Sequence, residues 1–217
     1  MSGRRTAPEA TLYRLALYHC YLGQMIAVGA PERVTSRQLA EDLGVKDETV
    51  RRDVSFVGDI GRPGAGYDPQ VLFREVSAFL GLVGEYPIIM VGTLQMLSAL
   101  RVVFPAESFG VKATVCFSEN EADDGVQFDE LTIRHISHIK DMQPGLTPDV
   151  ALVACAPEVL VDVIDQFHEV GVRGVLLLTA AIHVQRPEGM TINQIRMPCD
   201  IKALACTCRL PRTEAAD

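Results

Sequence analysis

Four short apolar runs in the C-terminal part of the chain restrict its fold more than any other feature. They are PIIMVG (residues 87–92), KATVCF (112–117), DVALVAC (149–155) and GVLLLT (174–179). Short, continuous apolar runs are typical of strands that are buried on both faces of a parallel sheet. Helical stretches such as PEVLVDVIDQFHEVG separate some of the runs. The alternation predicts an α/β domain over residues 84–217.

Residues 1–83 show a different pattern, that of short helices. A second helix begins at Thr35, which forms a capping-box pattern with Gln38, and Gly44 is a suitable stop for it. A third helix, ETVRRDVSFVG, has its valines on one face, and the glycine- and proline-rich stretch GDIGRPGAGYDP follows. The first helix has apolar residues at helical spacing, namely Leu12, Leu15, Ala16, Leu22, Met25 and Ile26. The pattern predicts a helix-turn-helix with a wing.

The third helix carries basic side chains that suit DNA. Arg51 and Ser55 share a face at i and i+4, Arg52 lies beside them, and Arg62 lies near the tip of the wing. The second helix of such a motif enters the major groove, where a guanidinium can bond two acceptors of guanine or phosphate. A three-helix bundle with solvated arginines has the same pattern. On the pattern alone, DNA binding and a structural role both stay open.

Composition and charge exclude some other classes. No apolar run approaches the roughly 20 residues of a membrane span. The N-terminal arginines precede no hydrophobic region, so the segment is not a secretory signal. We therefore expect a cytoplasmic protein with reduced cysteines. The formal net charge is −8 and the acidic excess lies in the C-terminal half, so a polyanion has to meet the N-terminal half.

Several stretches resemble the Rex family of redox-sensing transcriptional repressors. The most specific is VRRDVSFVGDIGRPGAGY (residues 50–67), which is similar to the family's V-R-K-D-L-S-Y-F-G-x-F-G-x-R-G-V-G-Y. TLYRLALYHCYL and TSRQLAEDLGV also match, and the similarity continues more loosely beyond Gly81 to the C-terminal helix. The resemblance implies a winged-helix DNA-binding domain over residues 1–83 and a Rossmann-like ligand-sensing and dimerisation domain over 84–217. It also implies a C-terminal dimerisation helix, an operator of double-stranded DNA, a homodimer and NAD(H) as cofactor.

The resemblance implies specific contact residues. For DNA they are Ser36, Arg37, Arg51, Arg52, Ser55 and Arg62. Arg52 replaces the family's lysine, which keeps the charge and changes the donor geometry. For the cofactor they are Gly92, Thr93, Leu94, Gln95, Met96, Leu97 and Ser118.

The predicted cofactor turn departs from the family's pattern. Leu94 and Leu97 stand where the family's G-A-G-N-L-G has its second and third glycines, and Ser118 stands where an acidic residue should bond the ribose. Leu94 would obstruct the approach of the pyrophosphate. Three readings stay open: NAD(H) in an adjusted pose, a different ligand or stimulus in the same cleft, and an unliganded scaffold that only dimerises.

Other chemically active residues give weaker signals. Cys199, Cys206 and Cys208 leave thiol oxidation or metal sensing as an alternative, although their spacing matches no common zinc site. We expect Cys20, Cys116 and Cys155 to pack in the core. We expect His135 and His138 to lie on the surface, on one helical face. The acidic loop SENEADDG (residues 118–125) is expected to be solvated and not to hold a cation.

An enzyme is not expected. The chain has no Ser-His-Asp set, no H-E-x-x-H motif and no paired catalytic carboxylates, so no catalytic or metal-binding residue is predicted. A Rossmann-like domain raises the possibility of an oxidoreductase, which is the second alternative, but the fold alone does not imply that activity.

Overall fold

The computed structural model describes residues 7–61, 65–82, 84–179 and 184–209. The chain divides into two compact units. The first consists of Met1–Tyr86 with Glu107–Gly110, and the second of Pro87–Ala106 with Val111–Asp217. Among the described residues, no helix has the length and apolar character needed to cross a membrane.

The first unit is helical. Its helices are α1 (Glu9–Ala27), α2 (Ser36–Leu43), α3 (Asp47–Val57) and α4 (Pro69–Leu80). The capping box at the start of α2 is confirmed, since the Thr35 hydroxyl accepts from the Gln38 amide and the Gln38 side chain accepts from the Thr35 amide. Gly44 ends α2 in the left-handed region at φ 66°. These local signals explain why α2 and α3 meet at a sharp turn.

The wing returns to the start of α2 through a short antiparallel bridge. The Val34 and Tyr67 backbones exchange two hydrogen bonds of 2.9 and 2.7 Å. Gly66 has φ 69°, and a Cβ at this position would lie 2.8 Å from the Val34 carbonyl oxygen. Only glycine fits here, because the two backbones approach too closely for a side chain.

The buried face of α1 includes polar residues. Leu15 and Leu22 are buried, whereas Leu12 is 40% exposed, and the face is completed by Thr11 and Tyr18. The apolar spacing did not reveal the polar partner of Thr11 and Tyr18 inside the bundle.

That partner is Asp53 of α3, a carboxylate with no exposed surface. Arg14 donates to both of its oxygens at 2.6 and 2.7 Å, Tyr18 donates at 2.9 Å and Thr11 at 3.1 Å. Burial acts to raise the pKa of Asp53, but the hydrogen bonds from Arg14, Tyr18 and Thr11 outweigh it and hold the pKa below its usual range. The cluster attaches α3 to α1.

The second unit is an α/β domain, as predicted. Its strands are β1 (Tyr86–Val91), β2 (Val111–Ser118), β3 (Gln127–Phe128), β4 (Leu131–His135), β5 (Val150–Val153), β6 (Gly174–Leu177) and β7 (Thr191–Gln194). Its helices are α5 (Leu94–Val103), α6 (Leu160–Glu169) and α7 (Met197–Arg209).

The strands form one seven-stranded sheet in the order β3-β4-β2-β1-β5-β6-β7. Pairing is parallel for β1–β5, β5–β6, β6–β7 and β2–β4, and antiparallel only for the two-residue edge strand β3. Without β3, the order is the 3-2-1-4-5-6 arrangement of the doubly wound Rossmann fold. The reversal of strand order falls between β1 and β5, where such folds place their ligands.

We predict that Asp53→Ala destabilises the first unit by about 3–5 kcal/mol, because it leaves the Arg14 guanidinium without its buried counter-charge. Asp53→Asn should cost less, since the amide keeps one acceptor. Thermal unfolding of the full chain, followed by circular dichroism, measures both effects. Asp59→Asn, an exposed aspartate of the same unit, is the matched control and should change little.

The loss of stability in the Asp53 variants should depend on pH. The pKa of Asp53 is lower in the folded chain than in the unfolded chain, so its stabilisation is fully present above about pH 4 and declines as the pH falls through the lowered value. The difference in unfolding midpoint between the wild-type protein and Asp53→Asn should therefore shrink on acidification. A difference that stays constant down to strongly acidic pH would contradict this assignment.

Candidate DNA-binding face and nucleotide cleft

The structure brings four of the six predicted DNA contacts to one surface. A cleft of about 700 Å³ opens between the start of α2, the outer face of α3 and the wing. Its lining includes Ser36, Arg37, Arg51 and Ser55. The Ser55 hydroxyl donates to the Arg52 carbonyl at 2.6 Å, so its oxygen can still accept from a ligand. We call this surface the α2–α3 face.

The other two predicted contacts are placed differently. Arg52 is exposed on α3 but does not line the cleft. Arg62 lies outside the described residues, as does the neighbouring Pro63. The role of each of the six residues stays a prediction.

An acidic residue on the same face was missed from the sequence. Asp47, one helical turn earlier in α3, forms an ion pair with Arg51, with 3.1 Å between Oδ2 and Nη2, and it also lines the cleft. The Arg51 side chain is nevertheless 58% exposed. An exposed i, i+4 pair is weak, typically about 0.3–0.5 kcal/mol. The pair orients the guanidinium along the helix without preventing it from binding a phosphate or a base.

The predicted nucleotide turn begins where β1 ends. The Gly92 amide donates to the Phe117 carbonyl of β2 at 2.9 Å, and the Ala154 amide after β5 donates to the Val91 carbonyl at 2.8 Å. A Cβ on Gly92 would lie 3.3 Å from Met96 Cγ and 3.4 Å from the Ala154 oxygen. The turn from strand to helix therefore keeps the glycine that close packing demands.

The residues after Gly92 include an acceptor for a backbone N–H group at the start of α5. The Thr93 hydroxyl accepts from the Met96 amide at 3.3 Å. Leu97 is fully buried and Leu94 is half-buried, whereas Gln95 and Met96 are exposed. Leu97, which stands where the Rex pattern has its third glycine, is thus part of the core.

Asp123 is the second residue that sequence reasoning missed. Its carboxylate is 7% exposed. One oxygen accepts from the Leu94 amide at 2.9 Å and from the Ser118 hydroxyl at 2.7 Å, and the other accepts from the Asn120 side chain at 3.4 Å. The expectation that residues 118–125 form a solvated loop was wrong at this residue. The available signal was the position of the loop, directly after β2 and beside the turn that follows β1.

A second carboxylate lies at the same edge of the sheet. Glu119 accepts from the Ala156 amide, after β5, at 3.3 Å, while its other oxygen is buried and has no hydrogen-bond partner among the described residues. This end of the sheet is therefore acidic beside Gly92.

Further along the same end of the sheet, Thr179 is buried and its carbonyl accepts from Gln194 at 3.0 Å. Ala180 lies outside the described residues.

These contacts decide how a dinucleotide fits. In a Rossmann domain the pyrophosphate lies at the N-terminus of the helix after the first strand, against backbone N–H groups. Here the Leu94 N–H already donates to Asp123, and the Met96 N–H donates to Thr93. The Leu94 side chain adds bulk where the family has a glycine. In the arrangement described, the turn does not fit a pyrophosphate.

The cysteines are all unpaired, and they fall into two groups. Cys116 and Cys155 are buried as expected, and burial raises the pKa of Cys116 to about 12 and that of Cys155 to about 11. Both thiols stay protonated at neutral pH, which disfavours redox chemistry. Cys20 is exposed, so the expectation that it packs in the core was wrong. The remaining three, Cys199, Cys206 and Cys208, are exposed on α7.

The histidines do not share a helical face. His135 ends β4, and His138 follows in the next short 3₁₀ turn, where it contacts Asp141 at 2.8 Å. Within the described residues, no three His, Cys, Asp or Glu side chains are grouped as metal ligands would be.

Comparisons with known proteins found similarities in both parts of the chain. Residues 6–55 match the family model "Putative DNA-binding protein N-terminus". The chain is 24% identical over 204 residues to the redox-sensing transcriptional repressor Rex of Clostridium botulinum, with 94% of this chain and 96% of the relative covered. It is 27% identical over 188 residues to Rex of Chloroflexus aurantiacus, with coverage of 87% and 88%.

Solved structures agree with the fold. A Rex-family repressor, RSP, in complex with β-NAD+ and operator DNA has a TM-score of 0.79 and 20% identity, and 94% of this chain and 93% of that chain are covered. RSP in complex with β-NADH has a TM-score of 0.76 and 18% identity, with 94% and 95% covered. The sequence matches thus extend over nearly the whole length of the chain, which is similar to Rex repressors at 24–27% identity, and the solved structures share its fold.

Proposed function

We propose that this chain is a DNA-binding transcriptional repressor of the Rex type. The winged helix-turn-helix of residues 1–83 reads an operator, and the Rossmann-like domain of residues 84–217 dimerises and carries the sensing function. The observation that carries this proposal is the α2–α3 face, where Ser36, Arg37, Arg51 and Ser55 come together. Arg37 and Arg51 share this cleft with Asp47 and Asp59, and Arg52 adds an exposed positive charge on the neighbouring surface of α3.

The geometry of α3 suits insertion into the major groove. Asp53 faces inward and holds α3 against α1, while Arg51 and Arg52, its neighbours in sequence, are exposed. A helix held rigidly by a buried cluster presents its side chains to DNA without a large entropic cost. Arg51 is the candidate for reading a base, and Arg52, outside the cleft, is the candidate for a phosphate contact.

A homodimer is the second part of the proposal. On α7, the side chains of Met197, Ile201 and Leu204 follow the i, i+4, i+7 spacing of one helical face and are 61–65% exposed. An exposed apolar face on a helix indicates a partner, and two copies of the chain would match two half-sites of an operator. In the Rex family the corresponding helix exchanges between subunits.

NAD(H) is the ligand of the solved RSP complexes, and we propose it as the ligand class of this domain. Because Asp123 and Leu94 occupy the phosphate turn, we expect the affinity to be lower than a full glycine fingerprint gives, and NADH to release DNA poorly. Sensing through Cys199, Cys206 and Cys208 is the alternative, since these thiols are exposed.

A cytoplasmic location and the lack of catalytic activity complete the proposal. The relatives reported above are named as repressors. An oxidoreductase is the alternative class, and turnover of NAD(H) with a candidate substrate would favour it.

We predict that Arg51→Ala weakens binding to a selected palindromic operator by about 1–3 kcal/mol and relaxes sequence preference, because a bidentate contact to a base is lost. Arg52→Ala should weaken binding to all DNA sequences alike and reduce the slope of log K against the logarithm of the salt concentration by about one. Gel-shift titrations at several salt concentrations, on an operator chosen from a palindromic library, measure both effects.

Arg74→Ala is the matched control, because Arg74 is an exposed arginine of α4 that does not line the α2–α3 face. Its affinity for the operator should equal that of the wild-type protein. If the double variant Arg51→Ala/Arg52→Ala bound the operator with unchanged affinity, these arginines would not belong to the DNA site.

We also predict that the double variant Ile201→Glu/Leu204→Glu is monomeric and binds the operator weakly, since charges on the apolar face of α7 cannot be buried against a second subunit. Sedimentation velocity gives the oligomeric state. Deletion of residues 198–217 should have the same effect.

Lys202→Glu is the control for charge. Lys202 lies between the two apolar positions, and its replacement by glutamate changes the net charge by the same amount as the double variant. It should remain a dimer. A dimer of unchanged stability for both the double variant and the deletion would contradict the proposed role of α7.

A further inference from the structure

Asp123 places a negative charge where a ligand phosphate would otherwise be. Its carboxylate accepts from the Leu94 amide, the first residue of α5, at 2.9 Å. The N-terminus of a helix carries a partial positive charge and unsatisfied N–H groups, so it attracts an anion. In this chain the anion is supplied by the protein itself.

The carboxylate is held firmly in that position. The Ser118 hydroxyl, at the end of β2, donates to the same oxygen at 2.7 Å. Asn120 contacts the other oxygen, and its own side chain accepts from the Ala122 amide at 3.2 Å, which caps the short turn that carries Asp123. Asp123 is 7% exposed and Ser118 is fully buried. This arrangement is a built hydrogen-bonded cluster and not a surface acid that points inward by chance.

Ser118 differs from the residue that a Rossmann protein has at this position. At the end of the second strand such a protein has an acidic residue that bonds the ribose. Here the position holds a hydroxyl that donates to Asp123, whose carboxylate lies against the first N–H of α5. Ser118 therefore offers no carboxylate to a ribose, and Asp123 adds a charge that repels phosphate.

We propose that Asp123 is the residue that limits nucleotide affinity in this chain, as a tethered carboxylate that occupies the phosphate position at the start of α5. The inference rests on the proposed function, because it takes the second domain to be a nucleotide sensor. A dinucleotide has to displace Asp123 from Leu94 and Ser118 before its own phosphates can accept from the helix. A buried charge that loses its partners is costly, so displacement opposes binding.

The test is calorimetric titration of the full-length protein with NADH. Asp123→Ala removes the occupant, and Asp123→Asn removes the charge while its amide oxygen can still accept from Leu94. We expect Asp123→Ala to bind NADH about tenfold or more tightly than the wild-type protein, as the loss of one charge-assisted competitor implies, with Asp123→Asn between them.

Glu121→Gln is the matched control, since Glu121 is an exposed acid in the same short turn. It makes the same change in net charge away from α5 and should bind NADH like the wild-type protein. An equal gain for Glu121→Gln would mean that overall charge, and not the contact at Leu94, governs affinity, and it would overturn the proposal.

Operator binding by the same preparations separates this inference from the proposed function. If the wild-type protein binds an operator but both Asp123 variants bind NADH no more tightly than it does, the role of Asp123 is refuted and the repressor function stands. If no operator is bound, the proposed function fails, while the order of NADH affinities still reports on Asp123. Should Asp123→Ala fail to fold, as seen by circular dichroism, the near-isosteric Asp123→Asn decides the question against Glu121→Gln.

Discussion

The position of β1 between β2 and β5 is the constraint on which the second domain depends. Its residues Ile88 to Val91 are buried on both faces and pair in parallel with Val150 to Val153. That pairing places the end of β1 at the reversal of strand order, so the turn at Gly92 has to point into the crevice. The place of the predicted ligand turn is therefore a consequence of the sheet, whatever residues occupy the turn. The strand–glycine–helix frame at Gly92 is thus compatible with leucines at positions 94 and 97.

The first domain depends on a buried charge in a comparable way. Asp53 faces away from the α2–α3 face, yet it determines how that face is presented, because Arg14, Tyr18 and Thr11 hold it from α1. Burial and the hydrogen bond to Asp53 raise the pKa of Tyr18, so its hydroxyl stays a donor at all physiological pH values. A carboxylate with four donors satisfies the rule that a buried charge must be paired. The attachment of α3 to α1 thus comes from polar contacts as well as from apolar packing.

Much of the fold was predictable from the sequence, and the reasons are local. The capping box at Thr35, the left-handed Gly44 and the apolar strands are signals carried by neighbouring residues, and the structure confirms them. The errors involve partners that are distant in sequence. Periodicity along α1 cannot show that Thr11 bonds Asp53, 42 residues away. Asp123 was assigned to solvent because its partner Leu94 lies 29 residues earlier, across the sheet.

Asp53 and Asp123 act by the same physical principle. The Arg14 guanidinium and the N-terminus of a helix both attract an acceptor, and at α2, α4 and α5 a side chain of this chain supplies one to the helix. At α2 the acceptor is Thr35 and at α4 it is Asp68, both near in sequence, and neither helix requires a ligand. At α5 the acceptor is Asp123, distant in sequence and nearly buried. In a turn with the glycine fingerprint, the N–H groups at the helix N-terminus lack acceptors until a pyrophosphate binds. Folding and packing of such a turn are therefore coupled to the ligand. The contact from Asp123 removes that coupling, since the Leu94 N–H has an acceptor in the absence of a nucleotide. In the proposed sensor, the strength of the response to NAD(H) would then be set by how readily this carboxylate leaves the helix.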